Sequence, residues 1–362
     1  MSEPINTSIY KSNITEVKSK DLLYSKTQPE LSIKFTQDTP VYLLNSIIRI
    51  IQSKIHSLSF NFDPIASTTD VEIDYANTTP NIDKLEHLVR VISMLQIHVS
   101  EDELESMIKT AIEESKMDKK QLTETKSDTY EFVIDVDNKD IRYLLTTDDI
   151  KVYKNNVLKP ELTKKFFPQQ YVLKHLAKNQ KIVVNMYPSL GTGSVHSRWN
   201  VGDGYYDAIT KEMNISPKAS YSPEYLFYKA SNTLIQELDI LQNLGEYGKS
   251  LEETLKSTTA TATTFRFYQE TEKNEVIGEM FSKFCYEFGK KNPRYFFNSC
   301  VYMRPHVGES CIQFQLGFKK KVSAKFVYDF IQLAKTEFQV IIKSLVAQFV
   351  ASNEKYNRLT KY

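Results

Sequence analysis

Apolar residues recur at spacings of three and four along residues 41–55, which is the period of an amphipathic helix. The residues on this stripe are Val41, Leu44, Ile48, Ile51 and Ile55. Two more isoleucines, at positions 47 and 50, widen the stripe. We therefore expect neighbouring elements to cover this helix on more than one side.

The same period predicts further helices, at 82–96, at 104–115, from Ser222-Pro223-Glu224 onward, at 276–288 and at 324–352. The inward residues predicted for 276–288 are Ile277, Met280, Phe281, Phe284 and Phe288. The last stretch would be a helix of about 29 residues with a very broad apolar surface. Such a helix must be sandwiched within the chain or against a partner.

Short runs rich in β-forming residues predict strands at 31–35, 58–62, 131–136, 141–146, 150–153, 181–186, 264–269 and 310–318. Residues 1–30 are polar and lack a clear period, so they are predicted to be an arm or a weakly ordered start. Polar composition predicts linkers at 116–129 and 246–261. Residues 191–204 hold four of the ten glycines and are predicted to form a loop.

The charge balance narrows the possible functions. The chain has 362 residues and a formal net charge of +1, typical of a soluble protein of two or three domains. Binding nucleic acid mainly by electrostatics needs a concentrated excess of Lys and Arg, so this balance argues against it. The short basic run Lys319-Lys320-Lys321 is interpreted as a solvated strand end. No apolar run approaches the ~20 residues that span a bilayer, and the polar first 20 residues predict no secretory signal.

Metal chemistry finds little support in the residue spacing. The three cysteines, Cys285, Cys300 and Cys311, are widely spaced and form no CxxC, so neither a disulfide framework nor a cysteine-only zinc site is expected. His306 follows Pro305, and a structural turn is preferred there over a metal ligand. The carboxylates at 135, 137 and 140 lack the glycine and terminal Glu of a calcium loop. No metal and no cofactor are predicted.

The glycine loop is also a weak enzymatic candidate. Gly191-x-Gly193 lacks both the third glycine of a dinucleotide fingerprint and the Gly-Lys-Ser/Thr of a P-loop. A packed loop is preferred, in which glycines allow a tight path and Trp199, the only tryptophan, supplies a large anchor. A small-molecule enzyme that uses this loop remains the least favoured alternative.

The first and last thirds of the chain share an order of elements, namely strand, helix, strand material and long terminal helix, and both resemble one family. The α-like subunits of RNA polymerase carry a helix similar to Leu43-Leu44-Asn45-Ser46-Ile47-Ile48-Arg49, as in the third-largest subunit of the eukaryotic enzyme. The eleventh subunit has a helix similar to Asn274-Glu275-Val276-Ile277-Gly278-Glu279-Met280-Phe281, in which Glu279 replaces the usual Asn. Lys291-Asn292-Pro293 and Met303-Arg304-Pro305-His306-Val307 resemble later stretches of that subunit, although Val307 replaces a proline.

The glycine loop carries the best match. Its sequence, Gly191-Thr192-Gly193-Ser194-Val195-His196-Ser197-Arg198-Trp199, resembles the Gly-Ile-Gly-x-x-His-Ala-Lys-Trp loop of the third subunit, with Val201 where a proline is usual. Tyr143-Leu144-Leu145-Thr146-Thr147-Asp148-Asp149-Ile150 also resembles that subunit. The resemblance assigns the loop to docking on the second-largest subunit. Purely internal packing is the alternative.

The fold predicted from these observations is α+β. The resemblance implies the RNA polymerase α-type dimerisation fold, formed within one chain as a pseudo-heterodimer. Residues 1–99 and 205–250 would form one half, with a β-rich inserted domain at 100–204, and residues 251–362 would form the other half. The intramolecular interface would comprise Val41, Leu44, Asn45, Ile48, Ile51, Ile55, Ile277, Gly278, Met280, Phe281 and Phe284. Large-subunit docking would use Arg49, Gly191, Gly193, His196, Arg198 and Trp199, with simple snorkelling as the alternative for Arg49.

The function implied is that of a non-catalytic platform on which a multisubunit DNA-directed RNA polymerase assembles. The partners would be the largest and second-largest subunits and small assembly subunits, without sequence-specific nucleic-acid binding and without a membrane. The active site would lie on another chain. Fused subunits of this kind occur in large cytoplasmic DNA viruses, so host cytoplasm and virion are the expected locations if the source is viral, and the nucleus otherwise. A viral structural or interaction protein unrelated to polymerase is the alternative.

Overall fold

Helices alternate with antiparallel sheets along the chain, so the architecture is mixed α and β, compatible with the predicted α+β class. The computed structural model describes residues 13–22, 25–63, 68–77, 82–115, 130–218, 221–242, 256–257, 264–270, 275–304 and 311–352. Among these residues, no helix is both long enough and apolar enough to cross a bilayer. The predicted linkers fall almost entirely outside the described residues, and Pro305 and His306 also lie outside them.

The described strands are, in chain order, β1 (Ile14–Leu22), β2 (Ser25–Phe35), β3 (His56–Ser59), β4 (Phe62–Asp63), β5 (Thr68–Thr69), β6 (Val71–Ala76), β7 (Tyr130–Asp137), β8 (Arg142–Thr146), β9 (Ile150–Lys154), β10 (Val157–Leu158), β11 (Val172–Ala177), β12 (Lys181–Met186), β13 (Ser189–Thr192), β14 (Gly202–Asp207), β15 (Glu212–Pro217), β16 (Lys256–Ser257), β17 (Thr264–Glu270), β18 (Phe297–Met303) and β19 (Cys311–Phe318). The described α-helices are α1 (Val41–Ser53), α2 (Ile82–Ser93), α3 (Glu101–Ser115), α4 (Pro160–Phe166), α5 (Pro223–Leu238), α6 (Glu275–Lys291) and α7 (Ala324–Ser352).

The chain divides into two compact units. The first unit contains Met1–Ile51, Asp203–Ser216 and Pro223–Tyr362, and the second contains Gln52–Gly202 and Pro217–Ser222. These limits differ from the predicted ones, because residues 52–99 fall in the second unit rather than in the first half of a dimerisation domain. Strand pairing explains the difference: β3 pairs with β13, and β6 pairs with β12, so both strands belong to the β-rich part.

The first unit contains the same arrangement of elements twice. The first repeat consists of β1, β2, α1, β14, β15 and α5, and the second consists of β16, β17, α6, β18, β19 and α7. Their sheets have the orders β1-β2-β15-β14 and β16-β17-β19-β18, so strands in equivalent chain positions occupy equivalent places. The second unit interrupts the first repeat between α1 and β14.

Helix α7 is covered by elements of both repeats. Phe338 stacks on Phe284 of α6 at 4.3 Å between ring centroids and lies 6.3 Å from the ring of Tyr42 on α1. Further along, Phe349 lies 4.6 Å from Phe227 of α5. The predicted sandwiching of this helix therefore takes place within the chain.

The second unit is built on a five-stranded sheet of order β10-β9-β7-β12-β6. Its core centres on the ring of Phe132 on β7, which makes edge contacts with Phe60 at 5.4 Å and Phe167 at 5.9 Å between ring centroids. Alternation along β12 places Ile182, Val184 and Met186 inside. This period of two is the pattern that predicted the strand.

The sequence pattern does not predict several of the strands, which are defined by backbone hydrogen bonding to neighbouring strands. The polar β1 forms a long hairpin with β2, so the prediction of a weakly ordered start is wrong for residues 14–22 and 25–30. Its first residue is tied to α7, because the backbone N–H of Ile14 donates to Gln348 Oε1 at 2.9 Å. Strand β14 begins inside the stretch predicted to be a loop, and β15 lies between that loop and the helix predicted from Ser222, where no strand is predicted. Strand β18 is a further strand that the sequence analysis does not predict, although five of its seven residues are apolar or aromatic.

Ile48→Asp is expected to prevent stable folding of the first unit. Ile48 is buried on α1 against the first sheet, where a Cβ added to Gly204 would lie 3.3 Å from its Cγ1. An unpaired carboxylate there costs several kcal/mol, against a total stability of about 5–15 kcal/mol. Phe281→Asp on α6 should act in the same way.

The matched control is Asn45→Asp, which places the same charge on an exposed position of α1. Thermal melting of the three purified variants provides the measurement. A cooperative transition of Ile48→Asp at the temperature of the parent would contradict the inward orientation of this residue.

Candidate functional sites: a helix interface and a glycine loop

The two repeats meet at polar contacts between α1 and α6. Tyr42 Oη donates to Glu287 Oε2 at 3.1 Å, and Arg49 Nη1 donates to Glu279 Oε2 at 3.2 Å. Advancing from 42 to 49 on α1 corresponds to moving back from 287 to 279 on α6, so the two helices run antiparallel. Tyr42 and Glu287 were not predicted at this interface, since neither lies on an apolar stripe.

The predicted interface residues are mostly buried, but some of them face their own sheets. Val41 is 43% exposed and Asn45 is also exposed, whereas the other nine are buried. On α6, a Cβ added to Gly278 would lie 2.4 Å from Tyr302 Cδ2, so Gly278 lets this helix approach β18 of its own repeat. Ile48 packs likewise on the first sheet.

Glu279 lies between two cations. Lys283 Nζ is 2.7 Å from its Oε1, and this hydrogen bond holds the pKa of the carboxyl below its usual value, with a smaller contribution from Arg49. Arg49 and Glu279 both remain more than a third exposed, so this ion pair contributes about 0–1 kcal/mol. The Arg49 side chain therefore combines an internal contact with an exposed surface.

A second polar seam joins α5 to α7. Gln332 Nε2 donates to the carbonyl of Leu241 at 2.7 Å, and Gln339 Nε2 donates to the carbonyl of Ile235 at 3.1 Å. Lys335 Nζ, on a buried side chain, lies 3.4 Å from Asp239 Oδ1. The two glutamines reach one carbonyl in the last turn of α5 and one in the 3₁₀ turn at Asp239–Gln242 that follows it, where helix ends leave acceptors without intrahelical partners, and Lys335 pairs with a carboxylate of that turn. The seam fixes the register of α7 against the first repeat.

The glycine loop of the second unit is formed around Trp199. A Cβ on Gly191 would lie 2.3 Å from the indole Cδ2, so only glycine permits this close approach. The indole Nε1 donates to the carbonyl of Ser189 at 3.3 Å, and the Trp199 carbonyl accepts from Ser57 Oγ at 2.9 Å. At the neighbouring position, a Cβ on Gly193 would lie 1.8 Å from the carbonyl oxygen of Gln52. Both predicted glycines therefore serve tight packing.

Arg198 is buried and holds the loop to the chain around β4. Its Nη1 donates to the carbonyl of Phe60 and its Nη2 to the carbonyl of Phe62, each at 2.9 Å. His196 Nδ1 accepts from the backbone N–H and from Nε of Arg198, each at 3.2 Å. Partial burial lowers the pKa of His196, and the charge of Arg198 lowers it further. The ring is thus neutral at neutral pH and retains its acceptor.

A pocket of about 420 Å³ opens beside this loop. Its lining includes Met94, Val195, His196, Arg198 and Trp199. Val195 at the loop tip is 73% exposed, whereas Trp199 is only 4% exposed. Trp199 therefore packs internally, as in the alternative to direct docking, and the surface available to a partner is formed by the loop tip and the exposed Met94.

The remaining polar candidates have structural roles. Asp149 completes a capping box with Thr146, whose backbone N–H donates to Asp149 Oδ2 at 2.8 Å. Asp148 pairs with Lys164. Burial raises the pKa of the Cys285 thiol well above its ordinary value, so this cysteine is a thiol rather than a thiolate ligand. Within the described ranges, no group of three or more His, Cys, Asp or Glu side chains is placed to hold a metal ion.

Trp199→Ala is expected to lower the melting temperature of the free protein strongly. Truncating a buried Trp costs about 3–5 kcal/mol, and here it would leave Gly191 without its packing partner. Val195→Ala, at the exposed tip of the same loop, should leave the melting temperature nearly unchanged. If the Trp199 variant melts with the parent but loses affinity for a large polymerase subunit, the indole docks directly.

The purified protein is expected to contain no stoichiometric zinc. Residues 100–204, the predicted β-rich inserted domain, contain no Cys, and the three cysteines of the chain are too widely spaced for a cysteine-only zinc site. Elemental analysis of protein expressed in zinc-supplemented medium and then dialysed tests this. One zinc per chain after dialysis would contradict the prediction.

A scan of the chain against protein-family models gives no match. A search of the curated proteins gives no significant match either. The activity of the chain is therefore inferred from its own residues and contacts, together with the motif resemblance.

Proposed function

We propose that this protein is a non-catalytic assembly subunit of a multisubunit DNA-directed RNA polymerase, in which two α-like subunits are fused into one chain. The RNA polymerase α-type dimerisation fold, formed intramolecularly, is part of the proposal. Its task is to give the two large catalytic subunits a common platform. The catalytic carboxylates would lie on another chain.

The repeated sheet order of the first unit is the observation that carries the proposal. Two copies of one arrangement, each with two helices, belong to one compact unit. The motifs that resemble the third subunit lie in the first repeat and in the second unit, and those that resemble the eleventh lie in the second repeat. A fused pair of α-like subunits requires this correspondence, whereas an unrelated structural protein does not.

Contacts between the repeats supply the physical reason for fusion. Rings of α1 and α5, as well as those of α6, cover the apolar surface of helix α7. Each repeat by itself would therefore leave apolar helix surface in contact with water. Covalent linkage makes this pairing intramolecular and raises the effective concentration of the second repeat to about millimolar. Pairing then no longer depends on the relative expression of two chains.

The tip of the glycine loop is the proposed docking surface for the second-largest subunit. Trp199 and Arg198 hold the loop in place from beneath, while Val195 and Met94 offer exposed apolar contacts beside a pocket. Because the loop is held rigidly, less conformational entropy is lost when its exposed apolar tip binds a partner. Gly191, Gly193 and His196 act by shaping this tip.

The test is co-expression of the tagged protein with the largest and second-largest polymerase subunits of the same source. We expect a stable ternary complex, and Val195→Asp should weaken it by about 30-fold, the equivalent of a hot-spot loss of ~2 kcal/mol. Ile141→Asp is the matched control, since Ile141 is 86% exposed elsewhere in the second unit.

Two outcomes would contradict the proposal. The first is a folded protein that captures neither large subunit at micromolar concentrations. The second is that affinity purification from the native source recovers structural proteins without polymerase subunits, which would support the alternative class. Equal losses for Val195→Asp and Ile141→Asp would reject the loop tip as the docking surface and leave the assembly role intact.

A further inference from the structure

A basic surface lies at one end of the second repeat. Its cations come from the end of α6, from the 3₁₀ turn at Pro293–Tyr295, and from the turn that follows β19. The six exposed cations are Lys290, Lys291, Arg294, Lys319, Lys320 and Lys321. We call these six side chains and the aromatic rings among them the basic end.

The three segments of the basic end are adjacent in space. Phe297 at the start of β18 pairs with Phe318 at the end of β19, which brings residues 294–296 beside residues 319–321. The backbone N–H of Lys319 donates to the carbonyl of Phe296 at 2.7 Å. Helix α6 ends at Lys291, immediately before the 3₁₀ turn. The three segments are therefore neighbours, and their six cations lie in one region of the second repeat.

Aromatic rings alternate with these cations. Lys320 Nζ lies 4.2 Å from the centroid of the Phe296 ring, and Lys290 Nζ lies 4.3 Å from that of Tyr286. Both rings are exposed large aromatics, Phe296 at 37%. Exposed rings among Lys and Arg are the combination that stacks bases and neutralises phosphates.

Phe296 is held in an unusual backbone conformation. Its φ of 53° and ψ of 25° are left-handed, a region that glycine and asparagine adopt far more readily than a bulky residue. The surrounding hydrogen bonds enforce it, since the Phe296 N–H donates to the carbonyl of Pro293 and its carbonyl accepts from Lys319. The backbone would accept a smaller residue here, so the ring itself is what Phe296 adds to the surface.

The charge of the basic end is local. The whole chain has a formal net charge of only +1, yet six cations are concentrated on this one surface. In the segments 286–296 and 319–323 the one acidic residue is Glu287, whose carboxylate accepts a hydrogen bond from Tyr42. Although the net charge of the chain is near zero, the basic end has the local positive charge that a polyanion requires.

We propose that the basic end binds single-stranded nucleic acid without sequence preference. Lys and Arg would contact consecutive phosphates, and a base would stack on the exposed ring of Phe296. An acidic polypeptide could pair with the Lys and Arg side chains, but it has no nucleobase to stack on the Phe296 ring. The inference is independent of the proposed assembly role, because the basic end belongs to this chain alone and can be tested without other subunits.

The experiment measures fluorescence anisotropy of a labelled 20-nucleotide oligo-dT or oligo-U titrated with the full-length protein at several salt concentrations. The charge variant is Lys319→Glu, Lys320→Glu and Lys321→Glu combined. Its matched control is Lys109→Glu, Lys151→Glu and Lys178→Glu combined, three exposed lysines of the second unit that carry the same change of charge. The ring variant is Phe296→Asn, which suits the left-handed backbone and removes the ring.

Micromolar binding is expected at low salt, and the charge variant should reduce the affinity at least tenfold. It should also flatten the slope of log affinity against log salt by about 2, because each phosphate contact to a single strand contributes about 0.7. Phe296→Asn should reduce the affinity about tenfold without lowering the melting temperature. The control triple variant should bind within twofold of the parent.

Equal affinities of the charge variant and its control would overturn the proposal, as would the absence of binding at low salt. If polyglutamate of matched charge displaces the oligonucleotide at equal or lower concentration, the ligand is an acidic polypeptide and the proposal fails. Base stacking would be rejected if Phe296→Asn binds the oligonucleotide with the affinity of the parent and the parent binds a duplex as tightly as a single strand. Circular dichroism tests whether each variant is folded. If the charge variant is unfolded, the comparison of the ring variant with the parent decides the outcome.

Discussion

Buried side chains recur along helix α7 from Val327 to Phe349, and a helix with so broad an apolar surface needs cover from more than one neighbour. Rings of the second sheet and of α6 pack against α7, and rings from α1 and α5 add further cover. The cohesion of the first unit therefore depends on this helix, because it contacts helices of both repeats. The polar seam of Gln332, Lys335 and Gln339 adds register to an interaction whose strength comes from burial.

In the second unit, buried residues support an exposed loop. Arg198 satisfies two backbone carbonyls with its guanidinium, and Trp199 lies against a glycine that no other residue could replace. Because these two residues are buried, the tip that follows Gly193 can be exposed and still hold one conformation. A surface of this kind suits recognition by a preorganised contact.

The sequence predicts elements where hydrophobic period dominates. The limits predicted for α7 are those of the structure, and the inward residues predicted for α6 are buried, since a strong 3.6-residue period leaves little choice. Strands β1 and β14 could not be found in this way, because their polar or glycine-containing sequences are held by backbone pairing to other segments. The glycine loop was identified by its motif, but only the geometry shows that Trp199 is buried while Val195 is exposed. The polar pairs between α1 and α6 carry no sequence period at all.

The interruption of the first repeat has a consequence for the order in which the chain can fold. Strand β2 needs β15 as its neighbour, and Ser32 and Glu212, which contact each other across them, are 180 residues apart. The second repeat is continuous, so its sheet closes loops far shorter than that. Loop-closure entropy and contact order therefore favour early formation of the second repeat, with the first sheet completed only after its two separated pieces meet. During synthesis from the N-terminus, the β1–β2 hairpin and α1 must wait, incompletely covered, until the ribosome has delivered β15 and finally α7.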